Sequence, residues 1–280
     1  MDVANLFEPL VNGPVSSPAG SSWALVTGAC SGIGLEIARQ LAARGFSLFV
    51  LSNRCTEIEA VAESIRADYG VQVQALHLDL ARPEAARELY SAAKERGLEI
   101  EVLVNNAGVF FFSEIADADP ARANALLQLH VITPSLLAHY FGHDMRARRS
   151  GHIVFMASAS AWKDFPGMAF YGASKRYVRS FATSLRDELH PWGVNVTCVA
   201  PGAVATDLYD MSTKAAQMAA RLGFVKDPKS VAEATVKGML RRKAVVLPGF
   251  SAKAMAVGMA LLPRWSISLA RRHTKYLSRP

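Results

Sequence analysis

At 280 residues with 51% hydrophobic side chains, the chain has enough apolar material for a sizeable core, which excludes wholesale disorder. Its net charge of +7 suggests a nucleic-acid surface until the charge is located: Arg241 to Pro280 carry nine Lys or Arg and no Asp or Glu, so residues 1–240 stand at about −2 and a basic groove across the body is excluded. Three widely spaced cysteines, Cys30, Cys55 and Cys198, support neither a disulfide framework nor a metal knuckle, so no metal site and a reducing, cytoplasmic setting are expected.

Residues 1–22 contain Asp2 and Glu8 but no Lys or Arg and no apolar h-region, unlike a signal peptide. Pro9, Gly13, Pro14, Pro18 and Gly20 predict an arm without regular structure. Short apolar runs then alternate with helix-like segments. Strands are predicted at Trp23–Thr27, Ser47–Leu51, Val71–Leu78, Ile100–Val104, His152–Met156, Val194–Val199 and Ala244–Leu247. Helices are predicted at Gly32–Ala43, Glu57–Asp68, near Glu84–Glu95, over much of Ala121–Arg148, within Met168–His190, and at Ser230–Met239. Alternation at these lengths implies βαβ units, and continuous apolar strands such as Leu48–Leu51 suit a sheet covered on both faces. The expected architecture is α/β: one doubly wound, Rossmann-type parallel sheet of about seven strands over residues 23–249, with a C-terminal extension over 250–280.

The first strand runs into Thr27-Gly28-Ala29-Cys30-Ser31-Gly32-Ile33-Gly34. Glycines between a strand and a helix allow a tight turn and the close approach of a pyrophosphate, which the helix N-terminus attracts. The spacing is not G-x-G-x-x-G, and glycines that merely permit a turn remain the plain alternative. The second strand ends in Leu51-Ser52-Asn53-Arg54, without the carboxylate that selects NAD. Arg54 can pair with a 2′-phosphate, helped by Asn53 and Ser52, which favours NADP(H) over NAD(H); a solvated surface arginine is the alternative.

Further motifs follow: Asn105-Asn106-Ala107-Gly108 after the fourth strand, Tyr171-x-x-x-Lys175 with Ser158 thirteen residues before the tyrosine, and Pro201-Gly202 followed by Thr206. Tyr171 and Lys175 lie four apart, on one face of a helix, where an ammonium stabilises a phenolate and brings a phenol with an ordinary pKa of about 10 toward acid–base use. Alone, the two would be an ordinary helix pair. In this order and at these intervals, the motifs resemble the short-chain dehydrogenase/reductase family over about residues 22–250. The resemblance implies hydride transfer between a nicotinamide and a carbonyl or alcohol. Tyr171 would be the acid/base, Ser158 would bond the substrate oxygen, and Lys175 would also hold the nicotinamide ribose. It implies cofactor contacts at Gly28, Ser31, Gly32, Ile33, Gly34, Asn53, Arg54, Asp79, Leu80, Asn106, Ala107, Gly108, Tyr171, Lys175, Pro201, Gly202, Val204 and Thr206. The family usually has a water-holding asparagine where this chain has His130; a histidine can either replace that function or pack as a neutral helix residue.

Phe110, Phe111, Phe112, Trp162, Phe165, Met168, Phe170, Tyr209 and Met211 would suit a pocket for a lipophilic ketone, aldehyde or alcohol, or else are packing residues. The longest late apolar run, Ala254 to Leu262, is too short to span a bilayer, which takes roughly 20 residues. In the tail, Met255, Met259, Leu262 and Trp265 recur at near-helical spacing, flanked by Arg264, Arg271, Arg272 and Lys275. Packing on protein is favoured over an anionic membrane surface. A homo-oligomer, dimer or tetramer, is expected, with no nucleic-acid partner. The competing function is a non-catalytic NADP(H)-binding sensor or scaffold, for which His130 is the only supporting feature.

Overall fold

The computed structural model describes residues 22–204 and 225–249, together with residues 254 and 258. Seven strands form one parallel sheet: β1 (Trp23–Thr27), β2 (Ser47–Ser52), β3 (Val73–His77), β4 (Ile100–Asn105), β5 (Gly151–Met156), β6 (Val194–Val199) and, after a separate pair, β9 (Val245–Val246). Their spatial order is β3-β2-β1-β4-β5-β6-β9. The pair is β7 (Ala203–Val204) with β8 (Val225–Lys226), a two-residue ladder that the sequence did not signal.

Alternate residues along each strand feed two cores. Leu25, Phe49, Leu103, Ile153 and Val196 point to one face. That face is covered by α3 (Ala85–Glu95), α5 (Thr133–Arg148) and α6 (Ala169–Leu189). Ala24, Val26, Leu48, Val50, Val102 and Val154 point to the other. There they meet α1 (Gly32–Ala42), α2 (Cys55–Tyr69) and the helix Pro228–Leu240, which is α7 here. Burial on both faces is why these strands read as unbroken apolar runs rather than alternating ones. Each fully buried leucine or phenylalanine contributes about 1.5–3 kcal/mol relative to exposure.

The order reverses between β1 and β4, because the chain leaves β1 toward β2 and later returns to β1's other side. In doubly wound sheets a crevice opens at the carboxyl ends of the strands at that point. The expected elements are present with shifted ends. Most shifts are one or two residues: α7 starts earlier because Pro228 follows the N-cap Asp227, whose carboxylate accepts the Ser230 amide at 2.8 Å.

The long helix expected over much of Ala121–Arg148 is present without a break but is not uniform. The segment consists of α4 (Pro120–Leu127), a π-helical turn at Gln128–Ile132, and α5. Pro134 supplies the reason. It has no N–H to give the carbonyl four residues back, at position 130, and its ring crowds that carbonyl. A wider turn relieves both problems, and wide turns of this kind recur at functional sites. His130 sits inside it.

Candidate active site

A cleft of about 540 Å³ runs across the sheet at its switch point, lined from Gly28 and Arg54 at one end to Ser158, Tyr171 and Pro201 at the other. At the glycine turn, Gly28 and Gly32 adopt φ of +65° and +55°, the left-handed region where a side chain is strained. Gly34 is required for a different reason: a Cβ there would lie 2.2 Å from the Gly28 carbonyl oxygen. The Asn106 side-chain amide donates to the carbonyls of Thr27, at 2.9 Å, and Gly28. Thr27 Oγ1 accepts the amides of Asn106 and Ala107, at 2.8 and 2.9 Å, and donates to Val104 O. The tips of β1 and β4 are thus laced into one rigid turn. Beyond it, Ser31 is the N-cap of α1 but makes no side-chain cap bond. The first-turn amides of α1 have no carbonyl before them and form an anion-binding end. This cradle fits the pyrophosphate of a dinucleotide.

Arg54 leans back over the turn. Its Nη2 donates to Ser31 Oγ at 2.7 Å and to Cys30 Sγ at 2.9 Å, while Nη1 pairs with Glu57 at 2.7 Å. The guanidinium therefore stands between the glycine turn and the end of β2, beside Asn53, where an adenosine 2′-phosphate would lie. Asp79 and Leu80 line the same end. The Asp79 carboxylate accepts the Ala81 amide, and Leu80 O accepts Thr133 Oγ1–H.

At the other end, Ser158, Tyr171 and Lys175 come together as anticipated. Ser158 caps the short 3₁₀ turn Ala159–Trp162, and its Oγ accepts the Ser160 amide at 3.2 Å. Tyr171 is in the first turn of α6, 3% exposed, with Phe110 edge-on to its ring at 4.9 Å. Lys175 is one turn on. Its Nζ lies 5.7 Å from the Tyr171 ring centre and donates to Met156 O at 3.0 Å. Burial pulls its ammonium down to about 8.

His130 is 2% exposed, and both of its ring nitrogens are engaged. Nε2 accepts the Val109 amide at 3.0 Å, so in the neutral ring the proton sits on Nδ1 and is donated to Ser174 Oγ, also at 3.0 Å. Ser174 Oγ–H passes to Tyr171 O at 2.8 Å. Burial first, and the Lys175 ammonium second, hold the ring well below the ordinary histidine range, so it stays neutral. Next to it, a small cavity of about 10 Å³ is lined by Asn105, His130, Thr133 and Lys175 among others, room for about one water. The buried Asn105 amide makes no hydrogen bond to a protein group there.

Pro201, Gly202 and Val204 line the cleft beyond β6, and Gly108 and Ile33 lie along its floor. Thr206, Tyr209 and Met211 lie outside the described residues, as do the N-terminal arm and the tail positions named above. Of the described aromatic and methionine positions expected to form a substrate pocket, only Phe110 lines the cleft. Phe111 is buried beneath it, Phe112 lies over Gly167, and Trp162 packs under Arg179. Sequence reasoning missed Cys30, Arg122, Ala125 and Leu129 in the lining, and Ser174 behind it. The spacing of 122, 125 and 129 on one helix face was the available signal for three of them.

The short chain dehydrogenase family model matches residues 22–217. The chain belongs to that family. It is 33% identical over 231 residues to an uncharacterized oxidoreductase, YmfI, of Bacillus subtilis, covering 81% of this chain and 94% of that one. It is 28% identical over 254 residues to a very-long-chain 3-oxoacyl-CoA reductase of Pyrenophora tritici-repentis, covering 89% and 69%. Among solved structures, a short-chain dehydrogenase from Sphingobium yanoikuyae in complex with NADPH superposes with a TM-score of 0.75 at 27% identity, covering 92% of this chain and 98% of that one. This short-chain dehydrogenase is thus an oxidoreductase that uses a nicotinamide cofactor.

Proposed function

We propose that this chain is an NADP(H)-preferring carbonyl reductase, working on a lipophilic ketone or aldehyde, or on the corresponding alcohol in reverse, with Tyr171 as its acid/base. The observation that carries the proposal is the convergence of Ser158, Tyr171 and Lys175 on the cleft that also holds the glycine turn and Arg54. The cofactor preference rests on Arg54 and on the lack of a carboxylate at Ser52-Asn53-Arg54. The bound nicotinamide supplies or accepts the hydride.

The remaining work belongs to the chain. The Ser158 hydroxyl donates to the substrate's carbonyl oxygen and orients it. The Tyr171 hydroxyl gives that oxygen its proton during reduction. The Lys175 ammonium, mostly charged at neutral pH, favours the phenolate left behind. One of its three N–H groups is spent on Met156 O, and the others serve the cleft. His130 acts as a clamp: it ties the loop after β4 to the backbone of Tyr171 through Ser174. This role absorbs the family departure at position 130, so nothing favours a non-catalytic sensor. Val109, Phe110, Ala125 and Leu129 give the walls their apolar character, and the 3-oxoacyl-CoA reductase relative is named for a lipophilic substrate. Residues 23–249 form the catalytic unit in this reading, with residues 1–22 and 250–280 as additions.

The test is NADPH oxidation against a panel of lipophilic ketones and aldehydes, followed by Tyr171→Phe with an accepted one. Near wild-type turnover in that variant would sink the assignment of Tyr171. NADPH binding without any turned-over compound would sink the enzyme reading.

A further inference from the structure

We propose that Arg122 is an anion-recognition residue on the substrate side of the cleft, so that the carbonyl compounds taken by this site carry a carboxylate or phosphate group. The proposal rests on the reductase reading above and narrows its substrate class.

Arg122 lies in the first turn of α4, after the N-cap Asp119 and Pro120. Helical spacing puts it on one face with Ala125 and Leu129, and all three line the cleft. Its guanidinium carbon is 4.8 Å from the centre of the Phe111 ring. Phe111 belongs to a small buried cluster with Ala123, Leu126 and Tyr171. The cation is therefore planted on the aromatic layer that carries Tyr171. Arg54, by contrast, stands at the glycine turn.

Place, more than charge accounting, sets Arg122 apart: Arg96, Arg146, Arg149 and Arg179 also lie over rings without a carboxylate partner, but among the described residues Arg54 and Arg122 are the arginines that line the cleft. Arg39, Arg54, Arg82, Arg87, Arg148 and Arg176 each pair with a carboxylate. Arg122 has no carboxylate within 4.0 Å among the described residues, although Glu114, Asp117 and Asp119 precede it. Asp119 spends an oxygen on the Ala121 amide instead. A guanidinium held over a ring engages its face, which leaves its N–H edge for a planar anion. Two parallel charge-assisted bonds to one carboxylate or phosphate are what such an edge makes best. Phe111 also restricts the side chain beforehand, which reduces the entropy lost on binding.

The same chemistry could come from the substrate or from the cofactor's phosphates, and the experiment separates them. Benzoylpropionate and its neutral methyl ester are titrated calorimetrically into the full-length protein saturated with NADP⁺, as wild type, Arg122→Gln and Arg122→Lys. The wild type should bind the acid at least about tenfold more tightly than the ester, the scale of one charge-assisted contact. Arg122→Gln should erase that preference and Arg122→Lys should keep part of it. Equal binding of acid and ester by the wild type, or a preference that survives Arg122→Gln, overturns the proposal. So does a loss of NADPH affinity of about tenfold in Arg122→Gln with the acid-to-ester ratio unchanged, because the cation then serves the cofactor. NADPH oxidation by the acid is read separately. A wild-type acid preference lost in Arg122→Gln, with no turnover of the acid or of any compound in the ketone and aldehyde panel, supports the anion site and sinks the reductase reading; turnover without acid preference does the reverse.

Discussion

Replacing His130 with phenylalanine keeps a ring in the π-helical turn but removes both of its hydrogen bonds, to the Val109 amide and to Ser174 Oγ. At about 1 kcal/mol each, their loss should lower stability by about 2 kcal/mol at neutral pH. The pH dependence is the sharper test. His130 and His152 are both buried, and burial lowers both pKa values, that of His152 to about 4. In the unfolded chain each titrates near 6.5. A base whose folded pKa is depressed leaves stability intact above the unfolded value and removes it as the pH falls below that value. Between pH 6 and 5 the unfolded chain therefore binds nearly one more proton at each histidine than the folded one. Each should contribute a slope of about 1.2 kcal/mol per pH unit, and the pair about 2.5. Urea unfolding followed by tryptophan fluorescence at pH 7, 6 and 5 measures this. His130→Phe should remove about half of the pair's slope, and His152→Gln the other half. If His130→Phe leaves the slope of the wild type unchanged, His130 is not a neutral clamp and the tautomer assigned to it is wrong.

Tyr171→Phe should lose at least about a hundredfold in kcat while keeping NADPH affinity within about twofold, because only the ionisable hydroxyl is removed; single-turnover rates and cofactor titration check both halves. Arg54→Ala should reduce a preference for NADPH over NADH by about tenfold or more, the worth of charge-assisted bonds to a 2′-phosphate, and equal wild-type affinities for the two cofactors would defeat the argument. Reduction measured as kcat/KM should fall as the pH rises through about 8, where the depressed Lys175 ammonium loses the charge that favours the phenolate. A profile that stays flat from pH 6.5 to 9.5 would refute that role.

What was legible in the sequence was whatever depends on local chemistry repeated along the chain. The strands read correctly because burial on both faces leaves no polar position to break the run, as at Ser47–Ser52, where all six residues are buried. The need for glycine at the turn was legible because backbone geometry permits little else at Gly28, Gly32 and Gly34. That Tyr171 and Lys175 share one helix face could be read because four residues is about one helical turn. What stayed hidden depends on which groups meet across the fold. Pro134 was visible, but not whether its missing N–H would end the helix or widen one turn; that choice is made by His130 finding Val109 on one side and Ser174 on the other. The side chain at 130 then has no nitrogen left for any other partner, so the histidine that stands where the family has a water-holding asparagine becomes a strut tied to the backbone of Tyr171. Arg122 was hidden for the same reason. A single arginine on an eight-residue helix has no pattern of its own, and only its place distinguishes it: it lies over a phenylalanine, without a carboxylate within 4.0 Å among the described residues, on the lining of the cleft. Along the cleft, positive charge stands first at Arg54 and Lys175, which the cofactor reading uses, and second at Arg122. A neutral lipophilic substrate would leave the second of these without a counter-charge, which is the physical reason to look first among anionic carbonyl compounds.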